Sequence, residues 1–188
     1  MVMDLLNIKK SPSLSNRTNN GLNFEEFTSL EEYHQLIDEK KGKLKYRVIK
    51  LPNNNFEYIY VKQGHLTKYM GSIGQLNNIE IGHGCKNPDE CYINLERKKI
   101  FILEKKYQSC HGSAAEKLQT APFKLKQYRD RFPNFQVYYI YVLSNWFGQN
   151  CKAELEYLQF KSINVFWGEH PDYKRTIMSH IYNMTLNN

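Results

Sequence analysis

The 188 residues contain no apolar run approaching the 18–20 that a membrane-spanning helix requires. Glycine (10) and proline (6) are too sparse for a collagenous or low-complexity chain. The opening MVMDLL carries Asp4 and is not expected to act as a secretory signal. Only four cysteines are present, and no two have CxxC spacing. Without a secretory signal they read as reduced thiols of a cytoplasmic protein. His83, Cys85, Cys91, Cys110 and His111 could in principle assemble a zinc site, but their spacings fit no common zinc module.

What the chain does have is aromatic residues, at 14%, which argues against disorder. A chain of this length can bury roughly two thirds of its unfolded surface in one domain. It also has uneven charge. Lys and Arg number 26 against 19 Asp and Glu. Residues 97–131 hold ten basic side chains and three acidic ones, so that stretch accounts for the whole net charge of +7. A basic stretch of this kind suggests a polyanionic partner, most often nucleic acid, or else a lysine-rich solvated face.

Residues 1–22 read as a polar N-terminal arm, followed by one domain over 23–188. Ser29 and Glu32 form a capping-box pattern, and Leu30, Tyr33, Leu36 and Ile37 recur at helical spacing. A helix over residues 30–41 is therefore expected, ending before Gly42. Residues 45–51 and 56–62 read as a hairpin around Pro52 and three asparagines, and 63–79 as a loop. Residues 91–95 and 100–104 read as two strands joined by a turn at 96–99, with no Asn-Gly to fix the register. Residues 113–131 are helical with a break, the second part starting at Pro122. A buried strand over 134–146, a helix over 151–160, a strand over 163–168 and a closing helix over 171–186 complete an α/β pattern around a central mixed sheet. YIYV occurs at 58–61 and 139–142, which is coincidence between two strands rather than a repeat.

Pro88-Asp89 opens the first strand of the central hairpin, and Glu104-Lys105-Lys106 closes the second. Glu104 and Lys106 are two apart, so they share a face. A turn centred between Arg97 and Lys98 places Asp89 opposite Lys106 and diagonal to Glu104, about 7–8 Å away. Two carboxylates so placed can share a hard divalent cation such as Mg²⁺, which activates a water for attack on phosphorus. An adjacent ammonium stabilises the charge that develops on the phosphate.

PD, fourteen residues, then ExK at the end of an apolar strand resembles the PD-(D/E)XK nuclease superfamily. The stretch EIGHGCKNPDECYINLERKKIFILEKKYQSCHGSAAEKLQT is similar to type II restriction endonucleases. GSAAEKLQTAPFKLKQY follows where that family has its core helix, and NFQVYYIYV where it has its next strand. The resemblance implies a restriction-endonuclease-like core over about residues 80–168. It implies a Mg²⁺-dependent, sequence-specific cut in double-stranded DNA. Asp89 and Glu104 would be metal ligands, Lys106 the catalytic lysine and the Lys105 backbone carbonyl a further metal contact. Glu90 replaces Asp89 if the strand begins one residue later. Glu80 is either an outer carboxylate, as some members have upstream, or a solvated loop residue. Gln108 either touches the phosphate or the metal's water, or caps the strand end.

Lys117, Lys124, Lys126, Arg129 and Arg131 follow the catalytic strand and are candidates for phosphate contacts. Base reading is assigned to two loops, with Lys68 and Gln75 in one and Asn145, Gln149 and Asn150 in the other. A palindromic target implies a homodimer. The resemblance also implies a cognate DNA methyltransferase in the host. The competing readings are a repair, junction-resolving or phage DNA-processing nuclease of the same fold, a non-enzymatic nucleic-acid-binding domain, and a basic protein with another partner.

Overall fold

A computed structural model describes residues 14–52, 55–80, 82 and 87–187. The chain runs α1 (Leu14–Phe27), β1 (Gln35–Lys40), β2 (Tyr46–Lys50), β3 (Glu57–Val61), α2 (His65–Ser72), β4 (Glu90–Asn94) and β5 (Lys99–Lys106). It continues through α3 (Ala114–Leu118), α4 (Ala121–Arg131), β6 (Gln136–Leu143), α5 (Asn145–Asn150), α6 (Lys152–Phe160), β7 (Asn164–Trp167) and α7 (Tyr173–Leu186). The protein is α/β, with one seven-stranded mixed sheet in the order β1-β2-β3-β4-β5-β6-β7, flanked by helices. β1 to β5 form an antiparallel meander. β5, β6 and β7 are parallel, and helices supply the crossovers that parallel neighbours require.

Both faces are covered, so the middle strands are apolar on both sides. One face packs Ile93, Ile100, Ile102, Val137 and Tyr139 against Leu66 and Met70 of α2, Leu125 and Tyr128 of α4 and Leu158 of α6. The other packs Tyr58, Tyr92, Phe101, Leu103 and Ile140 against Phe24 of α1 and Ile177 and Ile181 of α7. Lys99 extends its ammonium to the C-terminal carbonyls of α7, including that of Met184 at 2.7 Å, which are left without partners within the helix. Among the described residues, no helix is long and apolar enough to cross a membrane.

The expected helix over residues 30–41 is not formed. Ser29 Oγ accepts the amide of Glu31 in a short turn, and residues 35–40 then pair with β2 as an edge strand. Helical spacing of four apolar residues lost to the ladder that β2 offers. The boundary at residue 22 falls inside α1, and residues 1–13 lie outside the described part. The loop expected over 63–79 contains α2. The second half of the broken helix starts at Ala121, with Pro122 in its first turn, where the missing N–H costs nothing.

α1 is tied to the sheet by a buried ion pair. Lys105 Nζ donates to Glu90 Oε1 at 2.8 Å, with both side chains 2% exposed. The same ammonium donates to the Glu25 carbonyl at 3.1 Å, and the Leu30 amide donates to Glu90 Oε1 at 3.3 Å. Removing one member leaves a buried charge without its partner. Lys105→Met is expected to lower the unfolding free energy by about 3–5 kcal/mol in urea titrations, and the Glu90→Leu/Lys105→Met double variant to recover most of that loss.

Candidate active site

The β4–β5 register sets the site. Glu90 pairs with Leu103 and Asn94 with Lys99, which puts Asp89 opposite Glu104 rather than opposite Lys106. The expected register was off by two residues. The turn covers residues 95–98, where Asn94 Oδ1 accepts the Arg97 amide at 2.7 Å and Lys98 takes a left-handed φ of 49°. These substitute for the missing Asn-Gly signal. Because the slip is even, the faces are unchanged. Asp89 is held by the Lys105 amide, which donates to Oδ2 at 2.6 Å, and the preceding Pro88 carbonyl accepts the Gln63 amide at 2.8 Å.

Glu104 Oε1 receives two ammonium groups, Lys106 Nζ at 2.8 Å and Lys124 Nζ of α4 at 3.0 Å. Lys106 Nζ also donates to the Lys105 carbonyl at 2.9 Å. Burial disfavours ionisation of Glu104, but the charges of Lys106 and Lys124 outweigh it and hold the carboxyl below its ordinary pKa. Lys106 is held above its ordinary value, because Glu104 and Asp89 outweigh its burial. Asp89 has no comparable support. Burial, then the Glu104 charge, pushes its pKa up to about 6, against the partial help of Lys106 and the Lys105 amide.

Glu25 of α1 completes the set, and the sequence reading missed it. Its charge contributes to the raised pKa of Asp89 and to that of Lys106. Glu25 and Asp89 line one cavity of about 630 Å³. On the far side of Glu104, Tyr141 is its partner in the β5–β6 register, and the Tyr141 hydroxyl donates to the Lys117 carbonyl at 3.1 Å.

Other expected residues fall elsewhere. Glu90 points to the opposite face and is bound to Lys105, so it does not replace Asp89. Glu80 is exposed, without a hydrogen bond or ion pair among the described residues. Gln108 lies beyond the end of β5, so strand alternation does not reach it. Its amide and carbonyl both bond to Ser144 Oγ, at 3.1 and 2.9 Å. Lys124 serves the carboxylate site. Lys126 is paired with Asp130, Arg131 is half-buried, and Lys117 and Arg129 are exposed.

The base-reading candidates are partly engaged in structure. Lys68 Nζ donates to the Lys43 carbonyl at 3.4 Å, and Gln75 accepts from Asn134 at 3.0 Å. Residues 145–150 are helix α5 rather than loop, and Asn150 donates to the Trp146 carbonyl at 2.8 Å. The Asn145 amide donates to Glu169 at 2.7 Å, while Gln149 is exposed. Cys91 is a buried core residue of β4 and Cys110 is exposed, both with free thiols. His83 and Cys85 of the zinc grouping lie outside the described residues.

No family model, curated protein or solved structure matches this chain.

The oxygen donors gathered here suit a hard cation. Mg²⁺ is commonly held by one or two carboxylates and keeps several waters. Among the described residues no three His, Cys, Asp or Glu side chains are close enough to hold a metal by themselves, so Asp89 and Glu104 would be a two-carboxylate site of this kind. The pKa of Asp89 is raised by burial first and by the Glu104 charge second, and a cation bound between the two carboxylates would lower it.

The same shift sets a pH dependence. An acid whose folded pKa is raised is ionised more readily in the unfolded chain, so its contribution to stability is lost as pH rises from about 4 through 6. Asp89→Asn removes that loss. In EDTA, thermal melts are expected to show this variant more stable than wild type by about 1–3 kcal/mol at pH 8, with no gain at pH 4.

Proposed function

We propose that this protein is a Mg²⁺-dependent endonuclease of the PD-(D/E)XK type, cutting double-stranded DNA at specific sequences as type II restriction enzymes do. The observation that carries the reading is the set Asp89, Glu104 and Lys106. Two carboxylates face each other across β4 and β5, with an ammonium on the same face. The hairpin followed by α3–α4 and the parallel strand β6 agrees with the order of elements expected for a restriction-endonuclease-like core. A homodimer fits a two-fold target, and a cognate methyltransferase is the partner expected in the host.

Asp89 and Glu104 would hold the metal, with Glu25 and the Lys105 carbonyl next to it. When bound, Mg²⁺ supplies Lewis-acid stabilisation of the phosphate and lowers the pKa of a water. Lys106 has a raised pKa and is an ammonium at neutral pH, so it acts as a donor and a positive charge rather than as a general base. It stabilises the added negative charge on phosphorus as water attacks. Lys124 brings a second ammonium to the same carboxylate, from a helix whose exposed Arg129 can hold the DNA backbone.

The test is incubation of a long, unmethylated DNA of known sequence with Mg²⁺ or with EDTA. Discrete fragments only with Mg²⁺ are expected. A smear would instead favour a structure-directed or processing nuclease. Glu104→Ala is expected to reduce cleavage at least 100-fold while leaving duplex affinity in EDTA within about threefold. Normal cleavage by that variant would remove the assignment of the site.

A further inference from the structure

Four of the six residues 40–45 are lysines: Lys40, Lys41, Lys43 and Lys45. They form the tip of the β1–β2 hairpin, and all four are exposed. The tip is fastened in place. Leu44 packs against the core, the Lys45 amide donates to His65 Nδ1 at 3.1 Å, and Lys68 Nζ reaches the Lys43 carbonyl. Gly42, at φ +126°, makes the turn with a backbone few other residues adopt. Glu39 is the carboxylate nearest in sequence, and it pairs with Lys41 and Arg47. Among the described residues, Lys40, Lys43, Lys45 and Lys68 have no carboxylate partner. Burial lowers the pKa of His65, and so do Lys68 and Lys45, the mark of a locally positive potential.

The register places this tip on the catalytic edge of the sheet. Glu90 pairs with Leu103, Cys91 with Val61, Tyr60 with Arg47, and Tyr46 with Lys40. One rung further along, Lys62, Lys45 and Lys41 therefore lie in the row of Glu90, next to that of Asp89 and Glu104. Four strand spacings separate β5 from β1, or roughly 19 Å. At 3.4 Å per base pair that is about five to six base pairs. The space between is lined by six carboxylates, those of Glu25, Glu26, Glu31, Glu32, Asp89 and Glu90, against Arg47, Lys62, Lys105 and Lys174, and this surplus of acid suits a cation and repels a polyanion. A polyanion held over that centre needs positive charge on its flanks.

Lysines on an outer strand also discourage sheet-to-sheet association. That role calls for charges along β1 itself, whose middle residues are Leu36, Ile37 and Asp38. Lys40 is the last residue of the strand, and Lys41, Lys43 and Lys45 lie beyond it.

We propose that the hairpin tip at residues 40–45, with Lys68, is a clamp for the phosphate backbone of duplex DNA about five to six base pairs from the bond to be cut. The spacing rests on the nuclease reading, whereas the clamp itself does not. The test compares full-length wild type with a variant carrying Lys40→Gln, Lys41→Gln, Lys43→Gln and Lys45→Gln. Binding to a 30-base-pair duplex is measured by fluorescence anisotropy in EDTA from 50 to 300 mM KCl, and single-turnover cleavage at saturating DNA with Mg²⁺.

Each lost phosphate contact lowers the slope of log K against log [salt] by about 0.9. A slope reduced by about 2–4, with at least tenfold weaker binding at 100 mM KCl, is expected. The cleavage rate at saturation should stay within about threefold. Trimming the duplex to four base pairs on one side of the cut should weaken wild type and leave the variant unaffected. An unchanged slope in a variant that melts like wild type would overturn the clamp and leave the nuclease reading standing. A reduced slope in a protein that cuts no DNA would overturn the nuclease reading and leave the clamp. Wild type that binds no duplex, or a variant whose only change is self-association, would also overturn the clamp.

Discussion

Two carboxylates held opposite each other repel, and the rest of the site is arranged around that repulsion. One rung beyond the antiparallel ladder the Lys105 amide holds Asp89 against Glu104, and both are too buried for water to screen the interaction fully. The neutralising charges are shared unequally. Glu104 takes both ammonium groups and stays ionised, whereas Asp89 receives one backbone N–H and is pushed toward protonation near neutral pH. Environments that drive two neighbouring carboxyls apart in this way are characteristic of sites that do chemistry. In a protein selected only for stability, an aspartate here would be a poor choice.

The alternation of β5 gives the same three residues a second task. Glu104 and Lys106 face the site, while Lys105 between them points through the sheet to Glu90 and the Glu25 carbonyl. The ion pair on the back of the sheet thus positions the helix that brings the Glu25 side chain next to Asp89. A change at Lys105 would displace a carboxylate of the site without touching any side chain in it. The Lys105 amide meanwhile holds Asp89 directly, so one residue fixes both acidic neighbours of Glu104.

The parts of this arrangement that were legible in the sequence are those carried by local pattern. Short runs of β-branched and aromatic residues in β2, β3, β4 and β5 identified both hairpins, and the two-residue spacing put Glu104 and Lys106 on one face. Residues 30–41 misled because Leu30, Tyr33, Leu36 and Ile37 satisfy helical spacing, whereas an exposed edge strand has no alternation to display. α1 was hidden for the opposite reason. Its sequence NRTNNGLN is polar nearly throughout, and Phe24 is its one buried hydrophobic residue among those with described side chains. Glu25 could not be linked to Asp89 by any spacing rule, since they lie 64 positions apart and are brought together by the packing of Phe24 and by the back-side ion pair.

The charge distribution carries the same lesson about reading a sum along a chain. Residues 97–131 hold the whole net charge, yet much of it is consumed internally. Lys105 is bound to Glu90, and Lys106 and Lys124 to Glu104. Lys126 is bound to Asp130, and Lys99 to the carbonyls of α7. What remains free in that stretch is Lys98, Lys117, Arg129 and a half-buried Arg131. The part of the chain that looks neutral places Glu25, Glu26, Glu31 and Glu32 on α1 and in the turn after it, beside the site, and four of its lysines at the hairpin tip. A charge that pairs within the fold contributes little to the field a distant polyanion meets, whereas unpaired charges on a fixed turn contribute nearly all of theirs. The surface that attracts a polyanion is therefore set by which cations the fold leaves unpaired, and here those include Lys40, Lys43 and Lys45, in a part of the chain whose total charge is balanced.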